Sequence, residues 1–455
     1  MGTTIAAIST GQAPGGIGVV RISGPKAIEV GERLFRPVSG KKLKGMAGYT
    51  AAYGGIYTPA GEKLDDGVAL VFLAPKSYTG EDVLEISCHG GLYVTRQVLH
   101  AVLDAGAVPA GPGEFTRRAF LNGKMDLAQA ESVMELIGAG GREAARLARA
   151  GGSGALSRRI DGIAGRLEGL AAHLAAWADF PEEDVEEATA AETDGVLAAC
   201  QDSLQELLAG FAKGKIYREG LRTVIAGRPN VGKSTLMNLL AGRARSIVTP
   251  YPGTTRDVVE ETVSLGGVPL LLADTAGLRA TCDPVEEIGV AVARERIATA
   301  QLVLAVFDGS RPLEEEDVAL MDSLVSLPAI AVVNKVDLPG RLDVERLRGG
   351  FPQVVCLSAS SGTGLEELGQ AVAALFGTAG FDPSDGELFN DRQRFAAQWA
   401  WEALCRGREA IEAGMTLDAV TVCVEEALGA LFELTGRKVS EEVADAVFAQ
   451  FCVGK

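Results

Sequence analysis

The sequence predicts an α+β domain at its start, then a helical domain, with an α/β domain inserted into the helical one. Three observations predict this. Short apolar runs between Gly/Pro-rich turns fill residues 1–118. Ala-, Leu- and Glu-rich stretches with few β-branched runs occupy 119–215 and return over 379–455. Between them, in 216–378, short apolar runs alternate with amphipathic stretches, the pattern of a buried parallel sheet with crossover helices.

In the first domain Ile17–Ile22, Val68–Leu73 and Val83–Ser87 read as strands, and Tyr93–Ala105 as a helix. In the second, Leu127, Ala130, Met134 and Ile137 fall on one helical face. The patches Gly138–Gly141 and Gly151–Gly154 are either turns between helices or costly glycines inside one. In the inserted domain Leu221–Ala226, Leu270–Ala273, Leu302–Phe307, Ile330–Val333 and Val354–Leu357 read as strands, each closed by Gly, Asp, Asn or Ser.

The 455 residues suggest about three domains at roughly 150 residues each. A composition of 47% hydrophobic and 23% charged residues is globular. The net charge of −17 argues against holding nucleic acid through the overall field, although a local basic groove stays open. The seven cysteines stand singly, without a CxxC pair, which points to a reducing compartment. No signal peptide and no apolar run of 18 residues is seen, so the expected location is the cytoplasm, without a membrane.

Gly227-Arg-Pro-Asn-Val-Gly232-Lys233-Ser234 follows one apolar strand and precedes a helical run beginning at Thr235. Its glycines let backbone N–H groups, those around Asn230, Val231 and Gly232 among them, turn inward on phosphates. Lys233 supplies a charge to the terminal phosphates, and Ser234 an oxygen to Mg²⁺. Asp274-Thr275-Ala276-Gly277 closes the next strand, where Asp274 can hold the Mg²⁺ shell and Gly277 can offer its N–H to a γ-phosphate. Asn334-Lys335-Val336-Asp337 closes a later strand. Asp337 can accept two N–H bonds from guanine, which adenine cannot offer. Ser358-Ala359-Ser360 closes the last strand, where a backbone amide can meet the guanine carbonyl. Each tetrapeptide is weak alone, but their order and spacing indicate a guanine nucleotide domain. Between them, Thr249-Pro-Tyr-Pro-Gly-Thr254-Thr255-Arg-Asp257 is a loop whose threonine can complete Mg²⁺ coordination when a γ-phosphate is present. A plain Pro/Gly surface loop is the alternative.

With these motifs the chain resembles the Era-like GTPases. The segments Thr4–Pro25, Ser77–Gly91, Pro112–Glu131 and the ending Phe451-Cys-Val-Gly-Lys455 narrow the resemblance to the MnmE (TrmE) family of tRNA modification GTPases, over nearly the whole chain. The resemblance implies an α+β N-terminal folate-binding and dimerisation domain, a discontinuous α-helical domain, and an inserted Ras-like α/β P-loop G domain. It implies a homodimer that works with the flavoprotein MnmG as a heterotetramer. Together they place an aminomethyl or carboxymethylaminomethyl group on carbon 5 of the wobble uridine of tRNA. The implied cofactors are GTP, Mg²⁺, K⁺ and a 5-formyl- or 5,10-methylene-tetrahydrofolate, and K⁺-stimulated GTP hydrolysis brings the G domains together.

By motif, the resemblance assigns Asn230, Thr249, Tyr251 and Thr254 to K⁺, and Ser234 and Thr255 to Mg²⁺. Leu278 stands where a Ras-type domain orients water with glutamine, and an apolar side chain cannot do so. The resemblance gives that task to Glu286; by itself Glu286 also reads as an exposed carboxylate in the first turn of a helix starting near Pro284. Arg21, Glu85, Lys124 and Lys455 fall on folate positions, Glu85 to pair the pterin edge and the cations to meet its glutamate tail. Without the resemblance, Arg21 reads as a surface residue at the end of a strand.

Cys452, three residues from the end of the sequence, reads either as a nucleophile toward carbon 6 of uracil or a one-carbon adduct, or as a small core hydrophobe. His89 beside Cys88 reads as structural, since strand neighbours face opposite ways. Glu182–Glu187 reads as a solvated helix start or a docking surface. Two other functions share the nucleotide motifs: a regulatory or ribosome-assembly GTPase, and a folate-dependent aminomethyltransferase with a regulatory G domain.

Overall fold

Two sheets organise the chain, one in each of two compact units: Met1–Met134 with Val424–Lys455, and Glu135–Cys423. The computed structural model describes residues 2–11, 13–139, 142–179, 189–243, 261–272, 299–378 and 386–454. It has the α+β, helical and α/β parts that the sequence predicts.

In the first unit the strands are β1 (Ile5–Ile8), β2 (Ile17–Ser23), β3 (Phe35–Pro37), β4 (Thr50–Tyr57), β5 (Lys63–Phe72), β6 (Val83–His89) and β7 (Val108–Pro109). Their order is β3-β4-β5-β6-β2-β1-β7, antiparallel except where β7 joins β1. Alternation decides the faces. Val20 and Ile22 of β2, with Leu84, Ile86 and Cys88 of β6, point into a core shared with the helices Ala27–Leu34 and Leu92–Asp104. Arg21, Glu85 and His89 are out of phase with them. On that second face Ile5 and Ala7 pack with Ala110, Phe115 and Tyr78. Cys88 is buried and His89 exposed, and His89 Nδ1 lies 2.8 Å from Asp65. They form no dyad.

The C-terminal segment completes this unit. Ala444, Val447 and Phe448 of the helix Glu441–Phe448 join Phe451, Leu127 and Ala130 in a small core. The chain then runs along the N-terminal part. The Gly113 amide donates to the Cys452 carbonyl (3.4 Å), Val453 bridges to Pro112, and Ser9 Oγ donates to the Gly454 carbonyl (3.1 Å). Gly454 has φ +101°, and a Cβ there would stand 2.2 Å from the Ile8 carbonyl, so only glycine lets the tail lie this close.

In the second unit long helices pack on 3-and-4 spacing. Leu197, Cys200, Leu204, Leu207 and Phe211 form the buried stripe of Ala190–Glu219. Ala397, Ala400, Leu404 and Gly407 do so on Asp391–Glu412, and these two helices pack together. Thr189 and Asn390 cap them, accepting from the amides of Glu192 and Gln393. The patch Gly151–Gly154 is a turn: one helix ends at Gly152 and the next begins at Ala155.

The second sheet holds β8 (Leu221–Ala226), β9 (Glu261–Leu265), β10 (Val268–Leu272), β11 (Leu302–Asp308), β12 (Ala329–Asn334) and β13 (Gln353–Cys356), in the order β13-β12-β11-β8-β10-β9. All neighbours are parallel except the β9–β10 hairpin. Every residue of β11 and β12 is buried, which is why both read as unbroken apolar runs. β9 is an addition to the expected strands. Its two-residue turn uses Gly266 and Gly267, both at positive φ, as a tight hairpin requires.

Candidate functional site

The carboxyl ends of β8, β11 and β12 carry one group of functional side chains. β8 ends at Ala226, the loop Gly227–Gly232 follows, and the helix Lys233–Arg243 begins at its lysine. The loop has left-handed backbone at Asn230 (φ +63°) and Gly232 (φ +100°). A Cβ at Gly232 would stand 2.2 Å from Asn334 Nδ2, so the glycine is required by contact as well as by φ.

Asn334 closes β12 and is 2% exposed. Its Nδ2 donates to the Val231 carbonyl at 2.8 Å, and its Oδ1 accepts from the Ala359 amide at 2.9 Å. One side chain thus joins the phosphate loop, the Asn334–Asp337 loop and the Ser358–Ser360 loop. Lys335, itself left-handed at φ +64°, reinforces the joint. Its ammonium donates to the Asn230 carbonyl (2.8 Å) and to Asp308 Oδ2 (2.6 Å). Burial pushes the Asp308 carboxyl up, but bonds from Lys335 and Ser310 outweigh it and hold it below the usual carboxylate range. Asp337 is exposed, and its Oδ1 accepts from Ser358 Oγ at 2.6 Å.

Lys233 Nζ donates to the carbonyls of Gly227 (2.7 Å) and Arg228 (2.6 Å), and burial lowers its pKa. Its reach is therefore confined to the loop it serves. The carboxamide of Asn230 and the hydroxyl of Ser234 are exposed and make no hydrogen bond among the described residues. Thr235 is exposed on the same first turn. Thr249, Tyr251, Thr254, Thr255, Asp274, Thr275, Ala276, Gly277, Leu278 and Glu286, for which the sequence sets expectations, lie outside the described residues, as do Lys455 and Glu182–Glu187.

Sequence reasoning missed two charged residues here. Arg228 lies inside the phosphate loop, yet it points to the start of the helix Glu315–Ser323, where it pairs with Asp317 (2.9 Å) and Glu314. It anchors the loop. Asp308 anchors Lys335. The signals were present: an arginine inside the loop motif, and an aspartate at the carboxyl end of a buried strand.

The second group lies in the first unit. Arg21 and Glu85 face each other across β2 and β6, with Arg21 Nε 2.8 Å from Glu85 Oε1. The Arg21 guanidinium lies 5.5 Å from the Tyr78 ring and 5.6 Å from that of Phe115. The reading of Arg21 as a strand-end surface residue is corrected: β2 continues to Ser23 and lies between β1 and β6. The side chain is only 16% exposed. Beside the pair, Ser23 Oγ donates to Glu81 (2.8 Å), and the buried Arg118 holds both Glu81 (3.0 Å) and Glu114 (2.9 Å). This network fixes the loop that carries Tyr78. Lys124 is exposed, and its ammonium donates to the Pro75 carbonyl (3.1 Å) on that loop's other end. Cys452 is exposed, on the tail segment held against Gly113 and Ile8.

The family model described as "GTP-binding protein TrmE N-terminus" matches residues 4–124, and "MnmE helical domain" matches 127–452. A protein of Symbiobacterium thermophilum named "tRNA modification GTPase MnmE" is 48% identical over 456 residues, covering 99% of this chain and 99% of the relative. Proteins of the same name from Heliobacterium modesticaldum and Geobacillus kaustophilus are 43% and 44% identical, each covering at least 99% of both chains.

Proposed function

The chain belongs to the MnmE family of tRNA modification GTPases, and from that premise we propose that it couples GTP hydrolysis to one-carbon chemistry on the wobble uridine of tRNA. In this reading a reduced folate, 5-formyl- or 5,10-methylene-tetrahydrofolate, supplies the carbon. A flavoprotein partner, MnmG, completes the aminomethyl or carboxymethylaminomethyl group at carbon 5, and the working assembly is a heterotetramer built on a homodimer. The observation that carries the GTP half is the Asn334 side chain, which joins the phosphate loop to the two loops that read guanine.

The residues fit a guanine nucleotide. Gly232 leaves no room for a side chain, Lys233 is confined to the loop, and Asp337 is exposed with Ser358 orienting one oxygen. A γ-phosphate would draw the Lys233 ammonium from the two carbonyls it now satisfies. Mg²⁺ would be held by Ser234 with Thr255, and would neutralise charge on the phosphate oxygens. K⁺ would be held by Asn230 with Thr249, Tyr251 and Thr254, and would supply the positive charge that an arginine finger supplies elsewhere. Arg228 cannot supply it while Glu314 and Asp317 hold it. Glu286 is proposed to position water, since Leu278 cannot.

GTP turnover is therefore expected to be at least about tenfold faster in K⁺ than in Na⁺. Asn230→Ala should remove that difference while leaving nucleotide binding in place. Equal rates of the wild type in the two salts would sink the cation role.

The folate half rests on Arg21 and Glu85. Glu85 can accept from the amide and amino edge of a pterin, and Arg21 holds that carboxylate in place. Lys124 and Lys455 are proposed to meet the glutamate tail. Arg21→Ala in the full chain is expected to weaken 5-formyl-tetrahydrofolate binding by about tenfold or more, with GTP turnover unchanged. Calorimetry that finds unaltered folate affinity would remove Arg21 from this role.

Cys452 is proposed as a nucleophile, because the tail that carries it is fixed to the N-terminal part while its own side chain stays exposed. Cys452→Ser should lose most modification activity with the partner; full activity would remove the thiol from the chemistry. The function as a whole is tested by the mass of wobble nucleosides from cells lacking this chain. Uridine left unmodified there, and restored by the chain, supports it; normal modification overturns it in favour of a regulatory GTPase.

A further inference from the structure

One positive stretch of this acidic chain lies well away in sequence from the nucleotide motifs. From Leu34 to Gly61 there is no Asp or Glu, while Arg36, Lys41, Lys42 and Lys44 fall within that span, on a chain of net charge −17. Tyrosines at 49, 53 and 57 follow them within the same acid-free span. Such a run could be four cations neutralised by folding against carboxylates from elsewhere, and the structure excludes that. Lys41, Lys42 and Lys44 are exposed and make no ion pair among the described residues. The contact with a carboxylate is made by backbone: the Lys44 amide donates to Glu32 Oε1 at 2.9 Å, so its ammonium is left to solvent. Arg36, on the edge strand β3, stacks on the Tyr57 ring at 4.1 Å instead of on an acid.

Lys41 and Lys42 border an open groove of about 810 Å³, lined also by Val38, Gly45, Thr50 and Tyr53 among others, and Lys44 precedes Gly45 in the chain. Tyr53 is 60% exposed and Val38 77%, so the groove presents an aromatic ring and an apolar rim together with unpaired ammonium groups. An acidic protein surface would be served by the lysines alone. Cations beside an exposed ring match a nucleic-acid strand, whose phosphates take the charge and whose bases stack. The lack of Asp and Glu along this span matters because the overall field repels polyanions. A phosphate backbone can approach only where that field is locally reversed.

We propose that this groove, with Lys41 and Lys42 on its rim, the exposed Lys44 next in the chain to its lining residue Gly45, and Tyr53 in its wall, is a contact surface for the backbone of tRNA. The inference rests on the reading that the chain acts on tRNA, and it adds where the chain itself holds that substrate.

The test uses the full chain with Lys41→Glu, Lys42→Glu and Lys44→Glu combined, and fluorescently labelled tRNA titrated across a salt series. The combined variant is expected to lose about tenfold or more in affinity. Three contacts at about 0.7–0.9 each should also lower the slope of log affinity against log salt by about 2. Tyr53→Ala should weaken binding severalfold and leave the slope unchanged. GTP turnover, which these residues do not serve, should stay at the wild-type rate and so reports intact folding. Unchanged affinity and slope overturn the proposal, as does a wild-type chain that binds no tRNA. Loss of self-association or of flavoprotein binding, with tRNA affinity retained, assigns the groove to a protein and also overturns it. If the combined variant binds tRNA normally while cells lacking the chain still lack the modification, this surface is wrong and the function stands. Normal modification in those cells removes the function itself.

Discussion

Asp337→Asn is expected to convert the site from GTP to xanthosine triphosphate. Guanine presents two N–H groups on one edge, and a carboxylate accepts both. An amide in the same place offers one acceptor and one donor. Xanthine, with a carbonyl where guanine has its amine, offers the matching donor and acceptor. Bonds to a charged acceptor contribute about 1.5–3 kcal/mol each, so losing the pair should weaken GTP by roughly 10²–10⁴-fold. The Ser358 hydroxyl that now donates to Asp337 Oδ1 can still donate to an amide oxygen, so the loop has a reason to keep its shape. Asp337 is exposed, and the thermal midpoint should not move. Nucleotide affinities of the variant for GTP and the xanthine analogue decide the matter; retained preference for GTP would remove Asp337 from base recognition.

Asn334→Ala should act on stability and on nucleotide together. The side chain is buried, and its loss leaves the Val231 carbonyl and the Ala359 amide without the partner each now has. Stranding a buried polar group costs about 1–3 kcal/mol, so the two together cost about 2–6 kcal/mol. For a domain of this size the thermal midpoint should fall by roughly 5–15 °C. GTP affinity should fall by about 10² or more, because the phosphate loop and the base-reading loops would no longer be fixed to one another. The contrast with Asp337→Asn is the useful part. One variant changes selectivity without changing stability, and the other changes both. If Asn334→Ala melts like the wild type and binds GTP normally, the joint described here does not organise the site.

Much of the fold was legible because burial on both faces writes itself into sequence as an unbroken apolar run. Leu302–Phe307 and Ile330–Val333 are such runs, and β11 and β12 contain them. β9 was missed because Glu261-Thr-Val-Ser-Leu265 alternates instead, although the Gly266–Gly267 pair marks a two-residue hairpin. The ends of elements were less legible. Arg21 seemed to stand at the end of a strand because the apolar run stops at Ile22, but pairing with β1 and β6 carries β2 one residue further. The phosphate loop was legible as a motif, since backbone geometry demands those glycines at that spacing.

What joins the motifs was not legible. Asn334 meets Val231 and Ala359, 103 and 25 residues away, only because the strand order brings those loops to one edge of the sheet. The same holds for Lys335 with Asp308 and for Arg228 with Asp317. A linear reading finds the charges but cannot pair them. The second site shows the opposite case: Arg21 and Glu85 are adjacent by register alone, once β2 and β6 are known to be neighbours.

In the function proposed above, one chain couples a folate carbon to tRNA and times the transfer with GTP. The most direct measurement is a reconstitution with the flavoprotein, tRNA, a reduced folate, GTP and K⁺, reading the mass of the wobble nucleoside. A modified uridine is expected only when folate and hydrolysable GTP are both present. Arg21→Ala is expected to stop modification while GTP turnover continues. A modified uridine formed equally well without folate, or with a GTP analogue that cannot be hydrolysed, would contradict that function.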